Sequence, residues 1–155
     1  MIPFGEEVNG FLRAAHNHDL RLLLVGGGAV NFHGYQRQSA DVDFWIEPTP
    51  QNFDRLISVL RSLGYEVEQL PATVLRGEQN VSIKITPDMD LELITRFEPG
   101  CTFDQAWERR VSGDLAGAPV ARFHVLHRDD LIQSKLRAAR PKDLLDVQEL
   151  KRRKE

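Results

Sequence analysis

The most constraining stretch of this chain is residues 21–46, RLLLVGGGAVNFHGYQRQSADVDFWI, where an apolar run ends abruptly in Gly26, Gly27 and Gly28. Residues 22–25 are apolar without alternation, as expected of a strand covered on both faces. Glycine lets the backbone come close to a ligand, and a helix starting at such a turn aims free N–H groups and its positive dipole end at an anion. Residues 28–33 read as a short helix closed by Gly34. Asp41 and Asp43 then lead into a second apolar run, residues 44–46. Two residues apart on a strand, both carboxylates leave the same face, where they raise each other's pKa unless a cation joins them. Mg²⁺, a hard ion that prefers oxygen ligands and phosphate, is the matching cation. An anion on the glycine turn and a divalent metal on the aspartates is the expectation.

Around this centre the pattern predicts one mixed α/β (α+β) domain over residues 1–155. Val8, Phe11, Leu12 and Ala15 lie at helical spacing within residues 6–16, and Phe53, Leu56, Ile57, Leu60 and Leu63 mark a helix over 51–63 ended by Gly64. Residues 65–70 read as a short strand. Val81, Ile83 and Ile85 alternate with polar residues, and residues 89–94 alternate again beyond Pro87-Asp88, so the two runs form a hairpin. A helix over 103–109, a strand over 118–123 and C-terminal helices over about 128–152 complete the reading.

Composition narrows the function classes. The 41% hydrophobic and 28% charged fractions are those of a soluble globular chain, and no apolar run approaches the roughly 20 residues that span a bilayer. The acidic N-terminus does not read as a signal peptide, and the single Cys101 supplies neither an internal disulfide nor a metal-ligand set. A cytoplasmic location follows as an expectation. A net charge of -3 argues against a chain that mainly coats nucleic acid, although basic residues gather after Lys135.

Two nucleotide motifs are incomplete. No Gly-Lys-Ser/Thr follows Val25, which removes the P-loop, and Asn31 stands where the dinucleotide fingerprint needs a small residue. A two-metal phosphoryl site uses a further carboxylate to complete its ion shells. Glu92 and Asp90 lie on a strand that could run beside Asp41 and Asp43, and one of the two would serve. His33 reads as a residue packed against the glycine turn, Arg37 as a partner of either a phosphate or an aspartate, and His124 and His127 as surface residues. Asp143 and Asp146 read as helix-start and surface positions, with residues 140–143 as a latch.

The run LLVGGGAVNFHGYQRQSADVDFW resembles the signature of the DNA polymerase beta-type nucleotidyltransferase superfamily, most closely the small nucleotidyltransferase-fold proteins related to AbiEii-type toxins. The resemblance rests on Gly26, Gly27, Ala29, His33, Gly34, Arg37, Ser39, Asp41, Asp43 and Phe44. Residues 91–100 are similar to the family's third-carboxylate strand, with Glu92 where aspartate is usual, and 129–150 to its C-terminal segment, with Lys135, Arg140, Lys142, Asp143 and Asp146 on recurring positions. The resemblance implies a small mixed sheet flanked by helices. It implies transfer of a nucleoside monophosphate from an NTP to a hydroxyl of RNA, protein or a small molecule. Asp41, Asp43 and Glu92 would be the catalytic and metal residues, holding two Mg²⁺ ions, with Asp90 as substitute for Glu92. Gly26, Gly27, Arg37, Ser39 and Lys135 would bind the nucleotide, and a toxin–antitoxin partner is implied as well. The alternatives are a non-catalytic binding protein or antitoxin on the same fold, and a dinucleotide-binding α/β enzyme.

Overall fold

The computed structural model describes residues 4–36 and 41–153. The run Leu22–Val25 forms strand β1, with all four side chains buried, and it occupies an interior position of a six-stranded mixed sheet. Its antiparallel neighbour is β2 (Val42–Ile46), which in turn pairs in parallel with β4 (Met89–Ile94). β3 (Val81–Thr86) closes that side as the expected hairpin with β4. On the other side β1 meets β6 (Arg122–Val125) in parallel, and β5 (Val111–Asp114) forms the edge, giving the order β3-β4-β2-β1-β6-β5.

The two faces of the sheet are both covered, which is why β1 carries no polar alternation. Helix α1 (Glu6–Asn17) buries Val8, Phe11, Leu12 and Ala15, the four positions its spacing predicts, and packs against β6 and α3 (Pro50–Ser62). Helix α2 (Gly26–Phe32) lies on the face carrying Leu24, and its Phe32 packs edge-on to Phe123. On the opposite face Trp45 packs against Phe103 of α5 (Phe103–Glu108). The chain ends in a helical hairpin, α6 (Arg128–Ala138) and α7 (Pro141–Arg152). Among the described residues no helix is long and apolar enough to cross a membrane.

Two expected strands differ. Residues 65–70 form no strand; the segment stays on the surface after Gly64, and the Val67 carbonyl is taken by Arg61 Nε at 2.7 Å rather than by a ladder. The strand expected over 118–123 begins only at Arg122. Pro119 has no N–H to give a ladder, and the carbonyls of Ala116 and Pro119 accept from the Arg13 guanidinium instead. The short helix α4 (Ala72–Leu75) and the strand β5, with a glycine among four residues, carry no periodic signal and were not anticipated.

A buried side chain that no apolar pattern reveals joins the sheet to α3. Asn52, fully buried, accepts from the Arg21 N–H at 2.9 Å and donates to the carbonyls of Arg21 and Glu47 at 3.1 and 3.0 Å. Thr49 caps the same helix by accepting from the Asn52 N–H. Removing Asn52 strands buried backbone groups, each worth about 1–3 kcal/mol when left unsatisfied. Asn52→Ala is therefore expected to lower unfolding free energy by about 2–4 kcal/mol in urea titration; a loss below about 0.5 kcal/mol contradicts this role.

Candidate active site

The carboxylates converge at the end of the sheet where β1 runs into α2. Val25 pairs with Asp43 across β1 and β2, and Asp43 pairs with Glu92 across β2 and β4. Residues directly opposite one another in a sheet send their side chains to the same face. Glu92 thus stands beside Asp43. Asp41, exposed, immediately precedes β2, and Asp90 lies two residues before Glu92 on the same face, where it pairs with Lys84 of β3 at 3.4 Å.

Gly26 makes room for this. Its φ of +64° is one that side chains rarely adopt, and a Cβ there would come within 2.8 Å of Asp43 Oδ2. Helix α2 starts at Gly26 itself, two residues earlier than the sequence pattern indicates, with no side chain capping it. Its far end is fixed by His33, whose buried ring donates from Nε2 to the Leu126 carbonyl at 2.9 Å, and Gly34 follows at φ +110°. His33 therefore ties the far end of α2 to the strand-end carbonyl of Leu126, where the sequence suggests packing against the glycine turn.

The local electrostatics are unbalanced. Burial, then the charge of Asp41, push the Asp43 carboxyl above its ordinary value, against an opposing pull from Lys135 and Lys142. Glu92 is pushed up by burial and then by Asp43, Asp90 and Asp41. Neither the Asp43 nor the Glu92 side chain forms a hydrogen bond or ion pair among the described residues. Among the described residues no three His, Cys, Asp or Glu side chains are placed together so as to hold a metal ion.

Lys135 is brought to the neighbourhood but is not loose. It is 7% exposed and held by Asp146 Oδ2 at 3.1 Å and Asp143 Oδ1 at 3.4 Å. Asp143 and Asp146, expected at surface positions, are buried at 0% and 1% exposure. The reason is charge: Lys135 needs counterions in the interior, and α7 presents two of them one turn apart. Asp143 also takes the Arg140 N–H, Nε and guanidinium in a capping box at the start of α7. Burial alone would raise its pKa; the Arg140 hydrogen bonds and the Lys135 charge outweigh that and hold it low. The latch expected over 140–143 is present. Arg37 and Ser39 lie outside the described residues.

A family model described as "Nucleotidyltransferase of unknown function (DUF6036)" matches residues 6–154. This chain belongs to that nucleotidyltransferase family. Two solved structures agree with the fold. One is the lincosamide antibiotic adenylyltransferase LnuA with lincomycin bound, at TM-score 0.57 and 18% identity over 96% of this chain and 97% of that one. The other is an antigenic nucleotidyltransferase-like protein from Paracoccidioides brasiliensis, at TM-score 0.54 and 15% identity over 96% and 78% of the two chains. No curated protein sequence matches. In this nucleotidyltransferase the carboxylate pairing, the opening of α2 and the Lys135 network occupy neighbouring elements, whereas His124 lies elsewhere and His127 caps α6 by accepting from the Asp129 N–H.

The raised carboxyls make a stability prediction with a definite sign. A folded state that holds protons to higher pH than the unfolded chain loses stability as pH rises through that window and stays penalised above it. Asp43→Asn cannot ionise. Without divalent metal it is expected to melt above the parent protein at pH 7, the gap closing as pH falls below the ordinary carboxylate range. A variant melting below the parent at pH 7 contradicts the electrostatic account.

Proposed function

We propose that this nucleotidyltransferase moves a nucleoside monophosphate from an NTP to a hydroxyl of a small-molecule acceptor, with Mg²⁺ on Asp41, Asp43 and Glu92. The observation that carries the proposal is the side-by-side placement of Asp43 and Glu92, both raised in pKa and neither with a side-chain partner among the described residues. An open carboxylate set suits Mg²⁺, which keeps waters and takes substrate phosphate oxygens rather than an all-protein cage. When bound, two such ions supply Lewis-acid stabilisation of the attacking and leaving oxygens.

The chain's own residues have distinct tasks in this reading. The free N–H groups of Gly26 and Gly27 at the uncapped start of α2 face the triphosphate. Arg37 and Ser39, shortly before Asp41 in the sequence, are the residues that the family resemblance assigns to phosphate. Lys135 and Lys142 lower the cost of ionising Asp43, and Lys135 offsets triphosphate charge through the same field. The acceptor oxygen attacks the α-phosphorus, the bond to the bridging oxygen breaks, and pyrophosphate leaves with the electron pair. Glu92, opposite Asp43 on the neighbouring strand, would take the acceptor proton. A small acceptor is favoured because a structure bound to lincomycin aligns over nearly its whole length with this one.

Incubation with α-³²P-labelled NTPs, Mg²⁺ and a panel of hydroxyl-bearing small molecules is expected to give labelled product. Asp43→Asn should reduce transfer at least about 100-fold. The rate should also fall on acidification at a pH above the ordinary carboxylate range, because protons compete for Asp43 and Glu92. Transfer at the parental rate by Asp43→Asn, or no transfer by the parent protein with any NTP, contradicts the proposal.

A further inference from the structure

At the opposite end of β1 lies a cavity of about 460 Å³ with a different chemistry. The register between β1 and β6 consists of the single pair Leu24 and Val125. Upstream of it the Arg122 N–H is accepted by His16 Nδ1 of α1 at 3.2 Å. The strands part there, and the opening is lined by Arg21, Arg55, Arg110 and Arg122 together with His16 and His124. Asp19 is the one carboxylate in that lining. Buried Leu23 and Trp45 lie between Arg21 and the carboxylate pair, about 13 Å along β1, and the lining residue Phe44 sits on the opposite face of the sheet from Asp43.

Some of this charge is compensated and some is not. Arg21 pairs with Glu47 at 3.2 Å, and Arg122 with Asp114 at 3.6 Å on the rim. Arg55 reaches only the Asp19 carbonyl, at 3.4 Å. Arg110 has no carboxylate partner among the described residues. Its guanidinium lies 4.0 Å over the Trp107 ring, one of its amines donates to the Trp107 carbonyl at 2.8 Å, and its Nε is buried without a hydrogen-bond acceptor. His124, beside Trp107 and bonded to Ser112 Oγ at 2.8 Å, registers the surplus. Burial, then Arg110, His16 and Arg122, lower its pKa to about 4.

We propose that this cleft is a binding site for a small phosphate-bearing anion, distinct from the carboxylate end of the sheet. Guanidinium forks match phosphate oxygens in geometry and charge. The volume is that of a small-molecule pocket. A single-stranded nucleic acid fits less well, because both cation contacts to Trp107, from Arg110 and from Arg21 at 5.2 Å, occupy the ring that a base would stack on.

The test is a calorimetric titration of the metal-free protein with inorganic pyrophosphate in EDTA at pH 7, ionic strength held with NaCl. The His124 imidazole is followed by NMR. Saturable binding is expected, with the His124 pKa rising from about 4 in the bound form. Affinity should fall at least about tenfold in Arg110→Gln and in Arg55→Gln, the latter serving if the former fails to fold, and should be unchanged in Asp43→Asn. Binding no greater than matched NaCl produces overturns the proposal. So does binding retained in the folded arginine variants, or binding lost in Asp43→Asn, which would place the anion at the carboxylates.

Discussion

The parallel pairing of β2 with β4 is the constraint on which the rest of the molecule's chemistry depends. It sets Asp43 opposite Glu92 and, through the antiparallel pairing with β1, sets both beside the opening of α2. The register is held by what lies on the other face: Leu91 and Leu93 are fully buried beneath the sheet. A slip of one residue would exchange the faces. It would expose two leucines, at about 1.5–3 kcal/mol each, and bury two unpaired acids at further cost. The apolar face thus pins the acidic one. The site's geometry is a by-product of core packing on the reverse of the sheet.

Much of that arrangement was legible because it obeys simple periods. The unbroken apolar run of β1, the alternation along β4 and the three-and-four spacing of α3 each report burial directly. Glu92 and Asp90 were both legible as candidates; what the alternation did not carry is the register, which sets Glu92 opposite Asp43 and Asp90 opposite Lys84. Other features left no periodic trace. Asn52 is buried by hydrogen bonds to backbone, and Asp143 and Asp146 by one lysine on another helix, so polar residue type misleads in both cases. The basic cleft was invisible for a related reason. Arg21, Arg55, Arg110 and Arg122 come from four separate stretches of the chain, and only the parting of β1 and β6 assembles them.

The sheet separates charge along its strands. At the α2 end, acids crowd one another and raise each other's pKa; at the other, arginines gather around a histidine held neutral. Between the helices, Lys135 is neutralised by Asp143 and Asp146, and Arg140 binds Asp143 in turn. Buried networks of this kind cost about as much as they return in stability, but losing one member leaves the others unpaired. The network therefore holds α7 against α6 while letting the lysine's field reach Asp43. The nucleotidyltransferase fold supplies the scaffold, and the two ends of its sheet carry charge of opposite sign.

In the proposed function Asp43 and Glu92 belong to one cation site. Electron paramagnetic resonance of Mn²⁺ with a non-hydrolysable NTP measures this directly, because bound and free ions give distinct signals. The account predicts that Asp43→Asn and Glu92→Gln each weaken Mn²⁺ binding and that the double variant loses little more than the stronger single one. Undiminished Mn²⁺ binding in Glu92→Gln, or losses that simply add, would contradict it.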